Sequence, residues 1–175
     1  MRHMYDEQAF IQAYDKYADA IFRYVYFRIF DRDRAQEYTQ EIFTRTWQYL
    51  VDGKEVANLR AFLYQVARHL IIDESRKKQL LSLDQLKEEQ DFDPGYDGRE
   101  RLDTEIDARS VTELIHTLDE PHREVLILRY INGCKPKEIA EILGENDNVI
   151  SVRIHRAKKQ IQNLLSKKSH TSKKV

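Results

Sequence analysis

Cys134 with His122 or His155 could be drawn as a nucleophile and its base, and the adjacent Asp73 and Glu74 as paired acids. Nothing in the spacing orients either set, and a lone cysteine beside a helical turn is ordinarily a packing residue. The sequence has no glycine-rich phosphate loop and no Cys/His metal spacing. No catalysis, metal, cofactor or small-molecule substrate is therefore expected. The chemistry that the residues do support is non-covalent. In KEIAEILGENDNVISVRIHRAKKQI, Lys137 to Ile161, a short helical pattern stops at Gly144, crosses polar residues and restarts as a helix carrying Arg, His and Lys.

Each part of that stretch has a physical use. Pro136 suits the first position of a helix, where its missing N–H is not needed. Ile139, Ala140, Ile142 and Leu143 form an inward face, and Gly144 can take the left-handed conformation that ends it. Asn146 or Asp147 can cap the next helix. There Ile150, Ile154, Ala157, Ile161 and Leu164 share one side, leaving Asn148, Ser151, Val152, His155, Lys158 and Lys159 outside, flanked by Arg153 and Arg156. This is the layout of a helix-turn-helix, whose second helix fits a DNA major groove. An ordinary solvated surface helix would look similar, but residues 121–175 carry 12 Lys+Arg against 5 Asp+Glu, which favours nucleic acid.

The elements that must position this motif are all helical. Glycine (5) and proline (3) are scarce and strand-like alternation is nearly absent. A first helix is expected over about Glu7–Phe30, with Phe10, Tyr14, Tyr17, Ile21, Tyr24 and Phe27/Arg28 as its stripe. Asp31 can cap a second, roughly 34–51, striped by Ala35, Tyr38, Ile42, Phe43, Trp47 and Leu50. After a loop, 51–58, a third helix over about 59–78 turns Leu59, Phe62, Leu63, Val66 and Leu70 inward and ends in a polar run. A second set begins near Ile106, with Asp107, Val111, Leu114 and Leu118 on one side. The fold class expected is all-α: two small helical domains joined by a flexible acidic linker. The boundaries are 1–78, the linker 79–105, 106–166, and a basic tail 167–175.

Net charge is −1, unevenly spread. Residues 1–78 hold 13 Lys+Arg and 12 Asp+Glu, whereas 79–120 hold 4 and 13. An acidic middle between a near-neutral front and a basic end suggests partners with different electrostatic demands. No run reaches the ~18 apolar residues of a membrane span. The first residues lack a signal peptide's apolar core, and the single cysteine fits a reducing compartment, so a cytoplasmic location is expected.

At this point both halves resemble one family, the extracytoplasmic-function (ECF) type of sigma-70 transcription initiation factors. LDEPHREVLILRYINGCKPKEIAEILGENDNVISVRIHRAKKQI is similar to the family's region 4. AQEYTQEIFTRTW, 35–47, resembles its polymerase-binding helix, usually written A-E-D-L-x-Q-E-V-F, and LRAFLYQVARHLIIDESRKK, 59–78, its promoter-melting helix. The two domains would then be sigma regions 2 and 4.

The resemblance implies roles and partners. Glu37, Gln40, Glu41 and Arg45 would dock on the clamp helices of the largest subunit of core RNA polymerase; the flap of the second-largest subunit is the other expected contact. Lys54, Asn58, His69, Asp73, Arg76, Lys77 and Lys78 would hold the opened −10 element of promoter DNA. Asn148, Ser151, Val152, Arg153, His155, Arg156 and Lys159 would face the −35 element, with Arg153 equally able to brace the fold. The chain would be a monomer when not bound to polymerase, and an anti-sigma factor is a further partner that such proteins commonly have. A dimeric helix-turn-helix regulator is the competing reading, and it leaves the front helices unexplained. A degenerate sigma-like protein that starts transcription poorly is another.

Five positions depart from the family pattern. His69 stands for the usual Asn, which bears on −10 base preference. Phe62 stands for Trp. Lys135 stands where a Ser often caps the short helix, which removes a cap worth ~1 kcal/mol. Ser151 and Val152 stand where Lys/Arg and Ser are common, which suggests a −35 contact less driven by phosphate and sensitive to thymine methyls.

Overall fold

The structure, a computed structural model, describes residues 7–82 and 108–171, with side chains for 7–80 and 112–166. Among the described residues there are helices and no strand: α1 Glu7–Ile29, α2 Arg32–Val51, α3 Leu59–Ser82, α4 Ala108–Thr117, α5 Glu120–Leu126, α6 Pro136–Leu143 and α7 Asp147–Thr171. The chain divides into two compact units, Met1–Asp93 and Pro94–Val175. No described helix is long and apolar enough to cross a membrane.

In the first unit α1, α2 and α3 each pack on the other two. The N-terminal half of α1 meets α2 through rings: Phe10 lies 4.9 Å from Trp47, and Tyr14 lies 4.7 Å from Phe43. Its C-terminal half meets α3 through Tyr24 and Tyr64, edge to face at 5.3 Å. Burial follows that division. Tyr24 to Arg28 are all buried, whereas Tyr14, on the expected stripe, stays exposed. Arg28 is housed inside because its guanidinium donates to the Tyr24 hydroxyl at 2.6 Å and lies over the Tyr24 ring.

The turn from α1 to α2 runs through Phe30 at φ 52°, a left-handed conformation that costs a non-glycine residue about 1–2 kcal/mol. Burial of the Phe30 ring against Tyr26 and Phe27 offsets that strain. Asp31 then caps α2 as expected, accepting the Arg34 N–H at 3.0 Å. Thr39 and Thr46 lie inside α2's buried face because each hydroxyl donates to the carbonyl four residues back.

Two expectations need correction. The inward face of α3 is Ala61, Leu63, Tyr64, Ala67, Leu70 and Ile71, with Leu59, Phe62 and Val66 only half-buried. Leu63 and Leu70 of the expected stripe are buried, but the seam runs on through Ala61, Tyr64, Ala67 and Ile71 rather than through Leu59, Phe62 and Val66. Polar runs also do not end helices here. α3 continues past Lys78 to Ser82 and α7 past Leu165 to Thr171, since polar residues extend an exposed helix as readily as they leave one. The rest of the expected linker, 83–105, and the end of the tail, 172–175, lie outside the described residues, as do Asp107 and the Val111 side chain.

In the second unit α4, α5 and α6 all pack on α7. Asp119 caps α5 by accepting the His122 N–H at 3.1 Å, and its carboxylate also meets His122 Nδ1 at 2.6 Å. Burial works against the Asp119 charge, but these two bonds together with the charges of His122 and Arg123 outweigh it and hold the carboxyl below its ordinary range. α5 runs into a π-helical turn, Ile127–Ile131, closed by the Cys134 N–H donating to the Leu128 carbonyl at 2.8 Å. Cys134 is fully buried there, so its thiol is not presented to a substrate.

α6 starts at Pro136 and buries Ile139, Ala140, Ile142 and Leu143. Lys135 supplies no side-chain acceptor, but Glu138 reaches back to accept the Lys135 N–H at 2.7 Å, so the end judged uncapped keeps half of a capping box. Gly144, at φ 67° and ψ 34°, closes the helix. A Cβ there would meet nothing within 4 Å, so Gly144→Ala isolates the backbone strain. The expected loss is about 1–2 kcal/mol, read as a lower urea midpoint with unchanged slope.

Candidate functional site

Three exposed faces carry the expected site residues. On α2, the core stripe of Ala35, Ile42, Thr46 and Leu50 turns Glu37, Gln40, Glu41 and Arg45 outward, and all four are exposed. Arg45 Nε donates to Glu41 Oε1 at 2.7 Å, both side chains being about half exposed. Such a pair adds only ~0.3–0.5 kcal/mol to the helix, so it is available for exchange with a partner's charges. Thr44 and Gln48 lie on the same face, one and two turns beyond Gln40 and Glu41. Three- and four-residue steps from those residues would have found them.

The second face joins α3 to the loop before it. His69, Asp73, Arg76, Lys77 and Lys78 are all exposed. Lys77 donates to Glu74 at 2.7 Å, and that bond holds the Glu74 carboxyl below its ordinary range. Glu74 is also 4.0 Å from Arg34, which donates to the Tyr38 hydroxyl at 2.8 Å, so α2 and α3 are linked by a chain of polar contacts. Burial, the largest influence, raises the Tyr38 phenol's pKa.

Asn58 has a structural duty. Its Oδ1 accepts the Ala61 N–H at 3.2 Å, which caps α3. Lys54 lies 4.7 Å over the Tyr49 ring and 3.9 Å from Asp52. Tyr49 in turn is 4.7 Å from Phe62, and both rings are half-buried. Sequence reasoning missed Tyr49 because it pointed neither to the stripe nor to the charged face. Together these residues bring a cation and two partly open aromatic rings beside the loop, which is what unpaired bases stack on.

The third face is α7. Asn146, not Asp147, caps it: its Oδ1 accepts the Asn148 N–H at 2.8 Å. Ile150 and Ala157 anchor the helix, leaving Asn148, Ser151, Val152, His155, Arg156, Lys158 and Lys159 exposed. Arg153 is set apart from them. It is half-buried and donates to Glu145 at 2.8 Å, so in this structure it braces the turn. Val149, 45% exposed, was missed and sits beside Val152 at 50%.

The geometry is thus a three-helix bundle with an exposed carboxylate–amide face, followed in sequence by a helix-turn-helix with a cationic outer side. Residues 13–80 match the Sigma-70 region 2 family and residues 108–161 match Sigma-70, region 4. The chain belongs to the sigma-70 family, in its extracytoplasmic-function branch, and directs RNA polymerase to promoters. Members of this family act as transcription factors rather than catalysts.

Relatives agree. The ECF RNA polymerase sigma factor SigL of Mycobacterium tuberculosis is 29% identical over 153 residues, covering 86% of each chain. The ECF RNA polymerase sigma factor BldN of Streptomyces coelicolor is 24% identical over 167 residues, or 91% of this chain and 61% of that longer one. The sigma factor RpoE of Bartonella quintana, solved in complex with the anti-sigma factor NepR, superposes with a TM-score of 0.75 at 23% identity, covering 91% of this chain and 98% of that one.

Proposed function

We propose that the first unit binds core RNA polymerase and an opened DNA strand, while the second reads intact duplex upstream. Glu37, Gln40, Glu41 and Arg45 dock on the clamp helices of the largest subunit. The −10 element is held along α3 and its preceding loop by Lys54, His69, Asp73, Arg76, Lys77 and Lys78, with Asn58 presenting the loop. The −35 element meets Asn148, Ser151, Val152, His155, Arg156 and Lys159, near the flap of the second-largest subunit. In domain terms these are region 2 over 1–78, an acidic linker over 79–105, region 4 over 106–166 and a basic tail over 167–175.

The observation that carries this reading is the ordered pair of family matches, 13–80 then 108–161. It is supported by the exposure of the α2 carboxylates and of the α7 cations. Each unit alone offers few phosphate contacts, and affinity from such contacts falls with salt at a log–log slope near −0.9 per contact. Mounted together on polymerase, they bind one promoter as an intramolecular pair, and effective concentration supplies the rest. Strand opening then requires only contacts that exist when bases are unstacked, which calls for no catalytic group from this chain. The factor acts in the cytoplasm, as a monomer until polymerase captures it. The anti-sigma partner of the Bartonella quintana protein supports a similar inhibitor here.

Start sites made in vitro with core polymerase and this chain test the proposal. Discrete transcripts from promoters with two spaced elements are expected. Duplex binding as a dimer, with no promoter-specific transcript, would favour a free-standing regulator instead.

A further inference from the structure

Val149 and Val152 are the two large apolar side chains of α7 left open to solvent, at 45% and 50% exposure. Spaced by three, they are neighbours on the first two turns, next to Asn148, His155 and Arg156. β-Branched residues are poorer helix formers than the polar residues common on such surfaces, and here they gain little packing in return. A local rule broken without a compensating contact points to a contact made with something else. Asp147, in the first turn, disfavours a phosphate at that end of the helix, while Arg156, Lys158 and Lys159 further along favour DNA over an apolar protein partner. The apolar feature that a major groove offers is the thymine C5 methyl.

We propose that Val149 and Val152 form a methyl-reading pair that selects thymines at two neighbouring base pairs of the −35 element. This rests on α7 entering the major groove, and it adds which bases are read and by which side chains. Neighbouring side chains on one helix face meet successive base pairs along the groove, so the two thymines lie side by side or on opposite strands of adjacent pairs.

The test uses holoenzyme assembled from the full chain and core polymerase. Promoter fragments are randomised over the upstream element, with that half made using either thymidine or deoxyuridine in both strands and then ligated to one fixed downstream half. Bound fragments are sequenced. From the thymidine pool, the natural chain is expected to enrich thymine at two neighbouring positions. From the deoxyuridine pool, that preference should fall roughly fourfold per lost methyl, or roughly fifteenfold for both. The double variant Val149→Ala, Val152→Ala should lose the difference between the pools while its urea midpoint is kept. Equal enrichment from both pools by the natural chain would overturn the proposal. So would a pool difference that survives in the double variant, since other residues would then read the methyls. If no upstream position were enriched at all, the major-groove reading of α7 would fail along with it.

Discussion

Glu41→Lys is expected to lower affinity for core RNA polymerase by roughly thirtyfold or more, with the promoter bases preferred by any residual activity unchanged. The argument is electrostatic and local. Glu41 is exposed, its carboxylate is paired with Arg45 one turn away, and a basic partner surface would gain two charge-assisted bonds by displacing or joining that pair. Reversing the charge places a lysine against the partner's cations and beside Arg45, so both repulsions act in the complex. The fold is barely touched, because an exposed pair of this kind contributes under ~1 kcal/mol.

The double swap Glu41→Arg, Arg45→Glu separates the two roles. It restores an ion pair on the helix but moves the carboxylate one turn. If the pair mattered only for α2 itself, binding would recover. If the carboxylate faces polymerase at its present position, the swap stays defective. Titration of labelled chain against core enzyme gives both answers, and wild-type affinity in Glu41→Lys would remove the α2 face from the proposed interface.

Arg123→Ala is expected to destabilise the second unit by about 3 kcal/mol and leave the first unit unaffected. The Arg123 guanidinium donates to the carbonyls of His116 and Leu118, each at 2.8 Å, and of Ile115 at 3.2 Å, with Glu120 at 3.3 Å on its outer side. These are carbonyls at the end of α4, where intrahelical N–H groups run out; of the three, Ile115 also accepts the Leu118 N–H at 3.2 Å. Removing the guanidinium loses charge-assisted bonds and leaves acceptors partly buried. Arg123→Lys should recover less than half of the loss, because an ammonium cannot match a planar fork that reaches several oxygens. Hydrogen exchange on the full chain is the check: protection should fall across α4–α7 and persist in α1–α3. Uniform loss in both units would mean that Arg123 is not a local staple.

Arg123 also illustrates where sequence reading stops. It lies in a segment, REVL, that supports the family resemblance, yet its work depends on where three carbonyls sit at the end of α4, which no spacing rule reveals. The same holds for the cap that Asn58 gives α3 and for the bond of Arg153 to Glu145, neither of which the residue types or their spacing reveal. Glu138 gives the start of α6 the other half of a capping box, a bond to the Lys135 N–H that does not depend on the Lys135 side chain.

Much of the fold was nevertheless legible. Helix periodicity, Asp31 as a cap, Pro136 and Gly144 as start and stop, and the buried face of α6 follow from one-dimensional patterns, because each depends on residues within a turn or two of one another. The family followed too, since two separate segments had to match in order. What only the tertiary structure decided is which side chains meet across helices: the Tyr24–Tyr64 contact, the half-open Tyr49–Phe62 surface under Lys54, and the lasting exposure of Tyr14, Val149 and Val152. Burial is a property of the space between helices. A sequence states how apolar a residue is, but its neighbours in space are chosen by crossing positions that depend on the whole bundle.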